Sequence, residues 1–171
     1  EKFDEEEFEI KKITDKIKFP MFVKPSNSGS SVGVKKATNI EELKLAIENA
    51  GHYDNKILIE QGIDGKEVEC AVLDVGEPVA STVGEVQSAE EFYSYDAKYN
   101  NSESKTIIPA KIEKKQIEEI KRLAIKAFKI IDGRHLSRVD FFIEKETNKI
   151  YINEINTMPG FTQISMCPKL F

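Results

Sequence analysis

The stretch "SRVDFFIEKETNKIYINEIN" (137–156) limits what this chain can become more than any other. Two strand-like runs, "SRVDFFIE" and "KIYINEIN", are joined through the polar turn "KETNK", which predicts an antiparallel hairpin. A turn centred on Thr147 leaves Asp140 and Glu154 equidistant from it, and likewise Arg138 and Asn156. The side-chain period of two then puts Arg138, Asp140 and Phe142 on one face of their strand, and Ile152, Glu154 and Asn156 on one face of theirs. Directly opposed residues lie about 5 Å apart on a shared face.

One patch would therefore hold two carboxylates, an amide oxygen and a guanidinium. Facing like charges are destabilising unless something neutralises them. Ligation by Asp140, Glu154 and Asn156 would be all-oxygen and suits a hard cation such as Mg²⁺, which also shares substrate phosphates. The alternative is an exposed strand face, salt-bridged by Arg138. Pairing with an inward-looking Phe142 and Ile152 favours the metal site.

The rest of the chain reads as an α+β layout. "EEEFEIKKITDKI" has an amphipathic tendency through Phe8, Ile13 and Ile17. Residues 19–24 and 32–36 predict a strand hairpin. "TNIEELKLAIENAG" predicts a helix with Thr38 and Glu41 as a capping box, a stripe of Ile40, Leu43, Ile47 and Ala50, and Gly51 as its stop. "KILIEQ" is strand-like, and "KEVECAVLDVGEPVASTVGEV" gives two strands joined through Gly76, Glu77 and Pro78. Residues 87–108 show no period. A second helix is marked by Ile117, Ile120, Leu123, Ala124, Ala127, Phe128 and Ile131 and stopped at Gly133. Strands, helix, strands, long loop, helix, strands implies largely antiparallel sheets.

"VKPSNSGSSVGV" (23–34) is richer in small residues than a plain connection requires. Thinly covered amides beside Lys24 suit an anion, most often a phosphate, yet the spacing matches neither the P-loop nor GxGxxG. On its own it is equally a phosphate cradle or a flexible hairpin connection. Beside a Mg²⁺ patch, a phosphate cradle implies a nucleoside triphosphate. In "ILIEQGIDGKEVE", backbone groups leaving the strand at Glu60 could meet an adenine edge. Glu67 could accept from ribose hydroxyls, or be a surface strand residue.

Composition narrows the partners. A net charge of −5 with no basic-aromatic stripe argues against a nucleic-acid backbone as partner. No apolar run reaches membrane-spanning length, and the acidic start "EKFDEEEFEIKK" has no signal-peptide character. Cys70 and Cys167 have neither metal-ligand nor disulfide spacing and read as packed thiols in a reducing compartment. His52 and His135 read as surface or loop residues. The charged start and the stop at "CPKLF" suggest an excised piece of a longer protein.

Six segments, "FVKPSNSGSSVGV", "LIEQGIDGKEVECAVL", "FYSYDAKY", "IPAKI", "SRVDFF" and "NEINTMPGFTQISMCP", resemble in order and spacing the D-alanine–D-alanine ligases, of the ATP-grasp fold. The resemblance covers residues 19–168. It implies two antiparallel-rich lobes, 1–66 small and 67–171 large, with the nucleotide between them. It implies ATP and two Mg²⁺ ions as cofactors, with Mn²⁺ as a substitute.

By that resemblance Lys24 meets the α/β-phosphates, and the loop with Ser28, Gly29, Ser30, Ser31 and Val32 folds over the triphosphate. Glu60, Gln61 and Ile63 belong to the adenine hinge, Glu67 takes the ribose, and Phe142 packs under the base. Lys98 meets the γ-phosphate and Tyr99 helps close the loop. Asp140, Glu154 and Asn156 are the metal ligands, Arg138 stabilises the transferred phosphoryl group, and Ser30, Gly160 and Ser165 surround the D-alanine pocket. Two D-alanine molecules would be joined through an acyl phosphate for peptidoglycan synthesis, in the bacterial cytoplasm, by a homodimeric parent protein. The family's N-terminal substrate domain, a second ATP-contacting lysine and the terminal helix have no counterpart here. The piece alone is therefore expected to lack ligation activity and bind ATP weakly. The competing readings are a ligase for D-lactate or D-serine, which "FYSYDAKY" disfavours, and a nucleotide-binding fragment without catalysis.

Overall fold

The computed structural model describes residues 10–29, 31–87, 105–163 and 165–171. They form two compact units that part after Gly62, each with its own antiparallel sheet and core.

The first unit contains α1 (Ile10–Thr14), β1 (Met21–Pro25), β2 (Lys35–Ala37), α2 (Ile40–Gly51) and β3 (Ile57–Gln61). Its sheet order is β2-β1-β3, with β1 antiparallel to both neighbours. Strand alternation turns Met21 and Val23 of β1 onto α2, where Leu43, Ala46, Ile47 and Ala50 complete a buried cluster with Ala37. Two details of α2 differ from the sequence expectation. The N-cap is Asn39, whose side chain accepts from the Glu42 amide at 2.9 Å, while Glu42 reaches back to the Thr38 amide and hydroxyl at 2.7 and 2.8 Å. The cap thus lies one residue later than Thr38 and Glu41 suggested. Ile40, the first residue after the cap, is 42% exposed, and Ala46 joins Leu43, Ile47 and Ala50 in the buried stripe.

The second unit carries β4 (Gly65–Asp74), β5 (Pro78–Gln87), β6 (Lys105–Ile107), α3 (Lys114–Ile130), β7 (Leu136–Glu144), β8 (Ile150–Asn156) and a short α4 (Met166–Lys169). Strand order is β6-β5-β4-β7-β8. Ile120, Ala124 and Phe128 of α3 press on Val68, Cys70 and Val72 of β4, Val83 of β5, and Val139, Phe141 and Ile143 of β7. By alternation Glu67, Glu69 and Ala71, with Arg138, Asp140 and Phe142, fall on the opposite face. The short β6 falls within 87–108, where no period was visible.

Among the described residues no helix is long and apolar enough to cross a membrane. Cys70 and Cys167 are buried free thiols, and burial pushes the Cys70 thiol up to about 11. His52 and His135 are exposed.

Candidate active site

The closing hairpin of the second unit follows the expected register at the end away from its turn and departs from it nearer the turn. Arg138 lies opposite Asn156 and Asp140 opposite Glu154, but a register shift follows between Asp140 and Phe141. Beyond it Phe141 pairs with Ile152 and Phe142 with Tyr151. The turn is one residue tighter than a Thr147 centre requires, and a bulge at Asn153 makes up the difference. The face-sharing of Ile152 with Glu154 and Asn156 is therefore wrong: Ile152 pairs toward the α3 side of an edge strand and is 50% exposed.

Protection of the site comes from elsewhere. Gly84 of β5 is the register partner of Glu69, and a Cβ there would sit 2.8 Å from Leu170 Cδ2 and Met166 Sδ. The buried Met166, Cys167 and Leu170 thus lie over this face at its β5 end.

Three carboxylates line up across the sheet, because Glu69 pairs with Asp140 and Asp140 with Glu154. Asp140 is 2% and Glu69 5% exposed, whereas Glu154 is open to solvent. Arg138 Nε and Nη2 donate to Asp140 Oδ1 and Oδ2, both at 2.7 Å, and Nε lies 3.2 Å from Glu69 Oε2. Burial disfavours the guanidinium charge. The hydrogen bonds to Asp140 and the fields of Asp140, Glu69 and Glu154 outweigh it and raise the Arg138 pKa. Asn156 Oδ1 accepts from the Met158 amide at 3.0 Å.

One row up the same face, Glu67 is the cross-strand partner of Phe142. The residues expected at ribose and base are therefore neighbours. Gly160 and Ser165 also come together: a Cβ on Gly160 would be 3.1 Å from Ser165 Oγ, which accepts from the Thr162 amide at 3.1 Å.

Among the described residues no three of His, Cys, Asp and Glu are gathered as a ready metal cage. Asp140 spends both oxygens on Arg138. The donor chemistry nevertheless fits a hard divalent cation. Three carboxylates face one guanidinium, the free donors are oxygens, and Asp140 and Glu154 oppose each other in register.

In the first unit, Lys24 Nζ is 2.8 Å from Glu60 Oε2 on the sheet face away from α2. Phe22 is the register partner of Glu60. The serine-rich loop is more tightly held than expected. Ser26 N donates to Lys56 O at 2.9 Å, and Asn27 N and Nδ2 donate to Asp54 Oδ2 at 2.9 and 2.8 Å. Val32 N and Val34 N bond within the loop to Gly29 O and Ser31 O. Gly33 has φ +74°, and a Cβ would meet the Tyr53 ring at 2.7 Å and Pro25 Cγ at 2.8 Å, so glycine is required there. Gln61 is exposed at the end of β3, and Ile63 opens the second unit half-buried. Ser30, Lys98 and Tyr99 lie outside the described residues.

Sequence reasoning missed Glu69. Its signal was the alternation "EVEC", which places Glu67 and Glu69 on one face and the apolar Val68 and Cys70 on the other.

The chain matches the family described as D-ala D-ala ligase C-terminus over residues 1–171. It is 57% identical over 162 residues to the D-alanine–D-alanine ligase of Acetivibrio thermocellus, spanning 95% of this chain and 43% of that protein. It is 50% identical to that of Clostridium novyi, spanning 95% and 47%. Among solved structures, the VanG D-Ala:D-Ser ligase from Enterococcus faecalis superposes with a TM-score of 0.83 at 36% identity, covering 94% of this chain and 47% of that one. The D-alanine–D-alanine ligase of Coxiella burnetii gives 0.80 at 34%, covering 98% and 43%. The chain thus spans less than half the length of these relatives. It belongs to the D-alanine–D-alanine ligase family, as the family's C-terminal domain, with the α+β ATP-grasp fold.

Proposed function

We propose that this chain is the nucleotide- and metal-binding part of an ATP-dependent ligase that joins two D-alanines for peptidoglycan synthesis. The observation that carries the reading is the row Glu69–Asp140–Glu154 with Arg138 and Asn156 beside it, a negative, oxygen-rich face crossed by one guanidinium. The first unit acts as the small lobe and the second as the large one.

Lys24, released from Glu60, meets the α/β-phosphates, and the loop around Ser28–Val32, with Ser30, supplies amides to the triphosphate. Glu60, Gln61 and Ile63 present backbone groups to adenine, Glu67 accepts from the ribose, and Phe142 packs under the base. Mg²⁺, with Mn²⁺ as substitute, held by Asp140, Glu154 and Asn156, would neutralise phosphate oxygens as charge develops on the transferring group.

A D-alanine carboxylate oxygen attacks the γ-phosphorus, forming an acyl phosphate and releasing ADP. The amine of the second D-alanine then attacks the acyl carbon, expels phosphate and, after losing a proton, leaves the peptide bond. Arg138 and Lys98 offset the charge of the transferring group, Tyr99 shields it from water, and Gly160 and Ser165 border the D-alanine site.

In the full-length ligase, ATP with Mg²⁺ is expected to raise the unfolding midpoint, and Asp140→Ala to abolish the Mg²⁺-dependent part of that shift. D-Alanine should drive phosphate release by the full-length protein and not by residues 1–171 alone. A Mg²⁺-independent shift, or release unaffected by Asp140→Ala, contradicts the proposal. The similarity to a D-Ala:D-Ser ligase supports a second reading in which D-serine is the second substrate. Dipeptide yield with D-alanine against D-serine, and depsipeptide yield with D-lactate, measured on the full-length protein, separate the readings.

A further inference from the structure

Asp140 holds two partners that cannot both be served. Its oxygens each accept from Arg138 at 2.7 Å, so a cation that takes one must dislodge part of the guanidinium fork. A guanidinium dislodged into a mostly buried site without an anion would be costly. The neighbouring strand places a second carboxylate at that point. Glu69 is 5% exposed, in register with Asp140, and its Oε2 is already 3.2 Å from Arg138 Nε. Of the three aligned carboxylates, Glu154 is the solvent-open one, on the far side of Asp140 from Glu69.

We infer that Glu69 is a positioning residue, the alternative seat that keeps Arg138 on the sheet face when a divalent cation claims Asp140. The guanidinium has five N–H donors in a rigid plane, so it can turn from a fork on Asp140 to a fork on Glu69 without leaving the row. The cation is then held by Asp140 and Glu154, and Arg138 remains beside it with its charge still compensated. The role rests on the metal site proposed above and adds a residue whose contribution runs through Arg138 rather than through the ion.

The test uses the full-length ligase without nucleotide, titrated with Mn²⁺ while free Mn²⁺ is followed by its paramagnetic resonance signal. Wild type is expected to bind and Asp140→Asn to abolish binding. Glu69→Gln should weaken binding about tenfold, the size of one lost charge-assisted contact, with its unfolding midpoint close to wild type. Glu69→Asp, which keeps the charge but draws it back one methylene, should fall between the two. In an Arg138→Met background the effect of Glu69→Gln should shrink to about twofold, the residue of a general field effect.

Should Glu69→Gln fail to fold, the Glu69→Asp pair with and without Arg138→Met makes the same comparison. Binding indifferent to Glu69, or equally weakened with and without Arg138, overturns the inference while leaving the metal site standing. A wild type that takes up no Mn²⁺ overturns both.

Discussion

A single carboxylate, Asp54, decides how the serine-rich loop leaves β1. It accepts from the amides of Lys56 and Asn27 and from the Asn27 side chain, and the Lys56 amide first, then Asn27, hold its carboxyl below the ordinary range. A depressed pKa means that the ionised form is the one the fold prefers. The tether is therefore fully present above the ordinary carboxylate pKa, near 4, and is lost as pH falls through the lower folded value. Amide chemical shifts of Ser26 and Asn27 should move together with the Asp54 carboxyl titration. Shifts that titrate near the unperturbed value would show that the tether does not form. None of this was legible in the sequence, since Asp54 lies 27 positions from Asn27 and carries no local signal. Glycine at 33 was legible only as a loop residue, because its need follows from Tyr53 and Pro25 closing in from other segments.

At the scale of elements, the sequence set the type and order of the strands and helices, while long-range pairings decided the details. The β7–β8 register could be read because both strands flank one short turn, so distance along the chain stands in for distance in space. Even there a tighter turn and a bulge cancelled, leaving Asp140 and Glu154 where the symmetric reading put them and Ile152 where it did not. The β4–β7 pairing joins segments some seventy residues apart, so nothing local announced that Glu69 would neighbour Asp140.

The same holds for Glu85 of β5, which is buried on the other side of the sheet. It accepts from Lys66 Nζ at 3.2 Å on both oxygens, from Gln87 Nε2 at 3.3 Å and from the Lys111 amide at 3.3 Å. It thereby ties two other stretches of chain, at Lys66 and Lys111, to its own strand. Glu85→Ala is expected to cost about 1–3 kcal/mol by urea unfolding, because Lys66 Nζ and the Lys111 amide both lose the buried carboxylate that accepts from them. A loss below about 0.5 kcal/mol would mark the hub as incidental.

For the whole molecule, two cores mean two places where stability is decided. Phe128 is 1% exposed and belongs to the second core, whose buried residues are distinct from those of the first. Phe128→Ala should remove about 3–5 kcal/mol from the second unit alone. Amide exchange in β4, β5 and β7 should accelerate while β1 and β3 keep their protection. Uniform acceleration across both sheets would show one cooperative structure instead. The α+β layout and the pairing of Asp140 with Glu154 were legible because charged residues at alternate positions of apolar strands are rare enough to be informative, whereas the allocation of residues to two cores depends on packing partners far along the chain.

The bulge at Asn153 has a practical corollary. It stands between the hairpin tip and the Asp140–Glu154 pair, so a change in length at Lys145–Asn148 can be absorbed before it reaches the charged row. That tip is a natural place to attach a label or a surface anchor, since slack introduced there has somewhere to go before it disturbs the chemistry.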